Sequence, residues 1–246
     1  MNNCKIFLSI FFIIIASNEV LSQFPRVASN IGFNANIVKY EGTTDGPNGG
    51  FDIEGYGVSK RISAGAFIDF DVELDVRSVV GGGGFFNFQR FEVTNTPNTD
   101  IPSGSTFGLN DYGPHLYYTF KLVFREEVID AIAQGSEIQG NYDWFSLTAG
   151  AKYNFFDNRQ IEEFNFINEN EEATGANLLS LEDSGISAFA RLNFEFNIWT
   201  DATKGKVFVQ YEKLLGNRFS VVSTNENVTY SAISFGITWL NLFNGY

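Results

Sequence analysis

The segment Ala64-Gly65-Ala66-Phe67-Ile68-Asp69-Phe70-Asp71-Val72-Glu73-Leu74-Asp75-Val76-Arg77 alternates without a slip. Ala64, Ala66, Ile68, Phe70, Val72, Leu74 and Val76 fall on one side, and Gly65, Phe67, Asp69, Asp71, Glu73, Asp75 and Arg77 on the other. Successive side chains of a strand point to opposite faces, so this is a strand with one apolar and one mostly charged face. The pattern returns at 186–199, where Ile186, Ala188, Ala190, Leu192, Phe194, Phe196 and Ile198 alternate with Ser187, Phe189, Arg191, Asn193, Glu195, Asn197 and Trp199. Residues 144–155 and 115–125 repeat it, and weaker versions occupy 31–37, 51–58, 207–214 and 228–242.

Eight strands are expected, at 28–40, 51–59, 63–77, 113–125, 142–156, 185–199, 205–214 and 228–242. Residues 85–94 also alternate and allow a count of ten. Short connections at 59–62 and 200–204 contrast with long, polar ones at 41–50, 78–112, 157–184 and 215–227. Near-alternation of short and long connections suits a barrel with turns at one rim and loops at the other. The exception is 126–134, which reads as a short amphipathic helix ended by Gly135.

Strand length decides the solvent. A soluble strand has about 5–6 residues and a tilted membrane-crossing strand about 9–11, whereas the best runs here extend over 13 to 15. An apolar face of that length can be buried in lipid if closure of the sheet pairs every edge. The fold expected is all-β: an antiparallel up-and-down transmembrane barrel occupying 23–246. Its charged faces point into a lumen that eight strands leave just wide enough for side chains. There Asp69, Asp71, Glu73, Glu195 and Glu212 need compensation by Lys121, Lys152 and Arg191, since unpaired buried carboxylates are costly.

Residues 1–22, with Lys5, the apolar run from Ile6 to Ala16 and Val20-Leu21-Ser22, read as a signal peptide. The only cysteine, Cys4, lies within it, so the mature chain has no disulfide. Acids outnumber bases 29 to 16, a net charge of −13 that repels phosphate backbones and argues against nucleic-acid partners. A cofactor is not expected.

The Leu21-Ser22-Gln23 junction, the segment Gly55-Tyr56-Gly57-Val58-Ser59-Lys60-Arg61-Ile62-Ser63 joining two strands, and Phe235, Trp239, Phe243 and Tyr246 near the end carry a resemblance. The chain resembles the small outer-membrane β-barrel proteins of Gram-negative bacteria, of the type of the transmembrane domain of outer membrane protein A, and looks most like Bacteroidetes versions. The resemblance implies an outer-membrane location, surrounding outer-membrane lipid, insertion by the barrel-assembly machinery, and possible envelope protein partners.

Candidate chemistry is sparse. His115, the only histidine, shares a face with Tyr117 and Thr119 but lacks the nearby serine that lipid A deacylases of the barrel type use, so it reads as a hydrogen-bonded rim residue. No second histidine and no mature cysteine exists for a transition-metal site. Eight acids against Arg159 over 157–183 read as a solvated loop, because the calcium-loop spacing is missing. Gly81–Gly84 read as turn glycines. The function expected is that of a non-enzymatic barrel with a structural, adhesive or envelope-assembly role. A narrow cation-favouring pore biased by Asp69, Asp71 and Glu73 is the alternative, followed by a secreted soluble barrel holding an apolar ligand.

Overall fold

The computed structural model of the chain describes residues 26–42, 63–75, 77–92, 106–124, 143–158, 165–168, 171–174, 179–197, 204–221 and 226–240. They contain strands β1 (Arg26–Gly42), β2 (Ser63–Glu73), β3 (Ser78–Glu92), β4 (Thr106–Phe124), β5 (Asp143–Asp157), β6 (Asn165–Asn168), β7 (Glu171–Thr174), β8 (Leu179–Leu181), β9 (Ser184–Asn197), β10 (Lys204–Leu214), β11 (Phe219–Val221) and β12 (Glu226–Leu240). β1, β2, β3, β4, β5, β9, β10 and β12 pair in that order, each antiparallel to the next. β12 pairs back onto β1, which closes an eight-stranded barrel. β11 and β8 widen the wall beside the start of β12, and β6–β7 form a separate hairpin.

The register fixes the shape. A row of paired residues starts at Lys39 and passes through Ser231, Lys213, Ala188, Ala151, Leu116, Gly82 and Phe70. It returns to β1 at Ser29, ten residues from its origin. With eight strands that stagger tilts each strand by about 40° and gives a backbone cylinder of about 8 Å radius. Such an interior holds side chains and little else.

Alternation then sorts the residues. Ile68, Phe70, Leu192 and Phe194 point outward and are 47%, 52%, 46% and 48% exposed, with Phe33, Ile37, Leu116, Leu147, Val209, Ile233 and Phe235 beside them. The intervening Asp69, His115, Thr119, Lys121, Thr148, Lys152, Arg191, Gln210 and Glu212 are buried. This is a water-soluble protein turned inside out. The tilt spreads the outward apolar residues over a band of about 25 Å, the height of the lipid-facing surface of a transmembrane barrel.

Several expectations change. The eighth barrel strand is β3, in what reads from sequence as the long loop 78–112, whereas 51–59 and the turn 59–62 lie outside the described residues, which resume at Ser63, the first residue of β2. Gly81–Gly84 are consequently strand residues paired on both sides, not turn glycines. β2 stops at Glu73 because Asp75 makes a turn: its Oδ1 accepts the N–H of Arg77 at 2.7 Å and of Ser78 at 2.8 Å, and the Leu74 N–H donates to Ser78 O. Slight burial raises the Asp75 pKa, but these donors and the Ser78 hydroxyl outweigh it and hold the carboxyl below the ordinary Asp value. β4 begins at Thr106, seven residues earlier than expected, and that moves His115 away from the rim. The helix at 126–134, the segment 1–22, Phe243 and Tyr246 lie outside the described residues.

Candidate functional site: the charged lumen

Gly81 and Gly83 determine how the lumen is wired. Asp69 of β2 pairs with Gly83 of β3, which pairs with His115 of β4. One step along, Asp71, Gly81 and Tyr117 are aligned in the same way. With no side chain on the middle strand, groups on the outer two meet directly. Asp69 Oδ1 lies 2.5 Å from His115 Nε2, and the Tyr117 hydroxyl donates to Asp71 Oδ1 at 2.5 Å. Asn30 of β1 donates to the other Asp71 oxygen at 2.7 Å. A Cβ at Gly81 would sit 2.4 Å from both Asp71 Oδ1 and the Tyr117 ring, and one at Gly83 would sit 1.8 Å from the Ile68 carbonyl oxygen.

Beside this pair of contacts lies the middle of the barrel. The Arg191 guanidinium is 4.6 Å from the Phe208 ring centre, 4.8 Å from Phe67 and 5.5 Å from Phe189, with Nη1 3.9 Å from Asp69 Oδ2 and Nε donating to Gln210 at 3.0 Å. A buried cation near an aromatic face gains about 2 kcal/mol at the desolvated end of the range. Lys152 lies 4.8 Å from the Phe85 centre and pairs with the Glu212 carboxylate. Glu212 also accepts from the Ser187 hydroxyl at 2.7 Å and from Gln210 at 3.2 Å. These charges and rings lie close together inside the barrel.

Toward the rim that carries the turn Leu74–Arg77, Lys121 donates to Glu73 at 2.9 Å, and Glu195, half-buried, sits opposite Lys206 in the β9–β10 register. A cavity of about 30 Å³ remains there, lined by Asp69, Asp71, Tyr117, Thr119, Asn193 and Lys206 among others. It has room for about two water molecules.

At the opposite rim, the connection after β10 folds inward. Its Arg218 is 0% exposed, donates to Asn158 Oδ1 at 2.8 Å, lies 4.0 Å from the Phe156 ring centre and has Nη2 3.7 Å from Asp111 Oδ1. Gln89 donates to the other Asp111 oxygen at 2.7 Å. Thus Asp69, Asp71, Glu73, Lys121, Lys152, Arg191, Glu195 and Glu212 all face inward. Lys121, Glu73 and Glu195 lie toward one rim, while Asp69 with His115 and Arg191, and Lys152 with Glu212, lie deeper. Sequence reasoning missed Asn30, Asp111, Lys206, Gln210 and Arg218. Asp111 lies on β4 in phase with His115 and Tyr117, a signal that an earlier strand start would have exposed; Arg218 sits in a connection without periodicity.

His115 has a carboxylate partner, Asp69. Its Nδ1 has no hydrogen-bond partner among the described residues, and the nearest hydroxyl on its strand, that of Tyr117, is committed to Asp71. Among the described residues no group of three or more His, Cys, Asp or Glu side chains converges.

No protein-family model matches the chain, and no curated protein matches it. Solved structures similar to it include the outer membrane protein OprG from Pseudomonas aeruginosa, with 10% identity over 89% of this chain and 96% of that one and a TM-score of 0.49. Ail, the attachment invasion locus protein of Yersinia pestis, is similar with 13% identity over 87% and 97% and a TM-score of 0.37. Neisserial surface protein A is similar with 11% identity over 86% and 97% and a TM-score of 0.40.

Proposed function

We propose that this chain is a non-enzymatic integral outer-membrane barrel whose closed wall carries its loops outside the cell, serving a structural, adhesive or envelope-assembly role. The observation that carries the proposal is the inverted polarity of a closed barrel: lipid-length apolar rows outside, and a filled, charge-paired interior. A soluble carrier of an apolar ligand requires the opposite orientation of Ile68, Phe70, Leu192 and Phe194. A steady pore requires a water path through the level where Arg191 is packed among Phe67, Phe189 and Phe208, and side chains occupy that level.

The remaining parts of the proposal come from the sequence. Residues 1–22 direct export, and the Leu21-Ser22-Gln23 junction and the Gly55–Ser63 segment favour a Bacteroidetes-type protein related to the transmembrane domain of outer membrane protein A. Outer-membrane lipid and the barrel-assembly machinery are its expected partners, with an envelope protein bound at the loops and no nucleic acid. Membrane fractionation with a heat-modifiability gel tests the class. The chain should fractionate with outer membrane and migrate faster unheated than boiled, and recovery in a detergent-free soluble fraction would overturn the assignment.

A further inference from the structure

On the outer wall, three residues of neighbouring strands stand in one row: Lys39 on β1 faces Ser231 on β12, and Ser231 faces Lys213 on β10. Both lysines are exposed, in phase with the outward-facing Ile37, Ile233 and Tyr211, which form the next row below them. Two strand spacings put the lysine Cα atoms about 10 Å apart, so ammonium groups on four-carbon stems can converge on a single anion. The strand tilt sets Lys213 about 6 Å nearer the middle of the band than Lys39. A lysine at that depth extends its ammonium toward the headgroups and keeps its stem on apolar surface.

Charge and position together specify the ligand. In a chain of net charge −13, no other row of the described register places two bases on the outer face. This row lies at the loop-side edge of the apolar band, where lipid phosphates lie, and the Tyr211–Ile233–Ile37 row beneath it offers an acyl chain a continuous track. We propose that Lys39, Ser231 and Lys213 bind the phosphate of an anionic lipid headgroup in the loop-side leaflet. The two ammonium groups flank the phosphate, and the Ser231 hydroxyl donates to one of its oxygens. The proposal rests on the transmembrane reading of the barrel.

The test is native mass spectrometry of the full chain released from detergent micelles containing equal amounts of dioleoyl phosphatidic acid and dioleoyl phosphatidylcholine. A heat-modifiability gel on each sample reports folding. The wild-type chain should retain phosphatidic acid in preference to phosphatidylcholine. Lys39→Gln or Lys213→Gln should reduce that preference about fivefold each, and the double variant about thirtyfold. The double Lys→Arg variant, and Arg77→Gln at the opposite rim, should keep it. An unchanged preference in a folded double Gln variant would overturn the site. Displacement of the lipid by millimolar inorganic phosphate would overturn the lipid assignment in favour of a free-phosphate site. A wild-type chain that shows no heat-modifiable form in lipid would instead overturn the transmembrane reading and this site with it.

Discussion

Asp69 and His115 touch at 2.5 Å although a whole strand, β3, lies between theirs. The contact exists because the β3 residue between them is Gly83, where any side chain would run into the Ile68 carbonyl. Gly84, one position on, faces outward, and the nearest atom to a Cβ there is 3.9 Å away. Gly83→Ala should therefore destabilise the barrel by about 3 kcal/mol, at the upper end for overpacking. Gly84→Ala should be neutral or stabilising by about 0.5 kcal/mol, since glycine is a poor strand residue. Urea unfolding in lipid vesicles, followed by tryptophan fluorescence, separates the two, and equal effects would contradict the clearance role given to Gly83.

The same glycines explain what the sequence concealed. In β2 and β9 one face is apolar and the other mostly polar, with Phe67 and Phe189 the apolar exceptions on the inward face, so strand, face and orientation are legible. In β3 the alternation disappears at Gly81–Gly84, because the strand's contribution there is the absence of side chains, and a hydropathy pattern does not register absence. The charged residues of the lumen are legible one strand at a time. Their partners are not, because which carboxylate meets which cation depends on register across neighbouring or skipped strands. Arg218 is a further case: it belongs to a connection, yet the barrel mouth buries it completely.

Lys152 and Glu212 pair across β9 with almost no exposure. Removing one charge strands the other, so Lys152→Met should cost about 3–5 kcal/mol, whereas the double change Lys152→Met with Glu212→Met should recover much of it. A double-mutant cycle in the same unfolding assay measures the coupling, and a coupling near zero would show that the pair is solvent-screened.

The Arg191 guanidinium lies 4.6 Å from the Phe208 ring centre inside the lumen. In planar bilayers the wild-type barrel should give no steady conductance, while Arg191→Gly combined with Phe208→Ala should produce discrete conducting steps if the variant still migrates as a folded barrel. Steady conductance in the wild type would mean that these side chains do not seal the lumen.

The turn at Asp75 predicts a pH dependence. Its folded pKa lies below the ordinary value of 3.8, so its contribution is complete above that value and is lost as pH falls through the lower folded pKa. Amide exchange at Arg77 and Ser78, corrected for intrinsic rates, should accelerate over that acidic window. Asp75→Ala should show fast exchange at every pH. Exchange in the wild type that does not change on acidification would remove the carboxylate from the turn.

The central claim is that the apolar rows face lipid. The only cysteine is Cys4, so replacing it and introducing single cysteines at Ile68, Phe70, Leu192 and Phe194 allows a nitroxide to be attached at each position in vesicles. Collision accessibility should be high for oxygen and low for a water-soluble nickel chelate at all four. High nickel accessibility, or inaccessibility to both probes as in a packed protein core, would contradict the account.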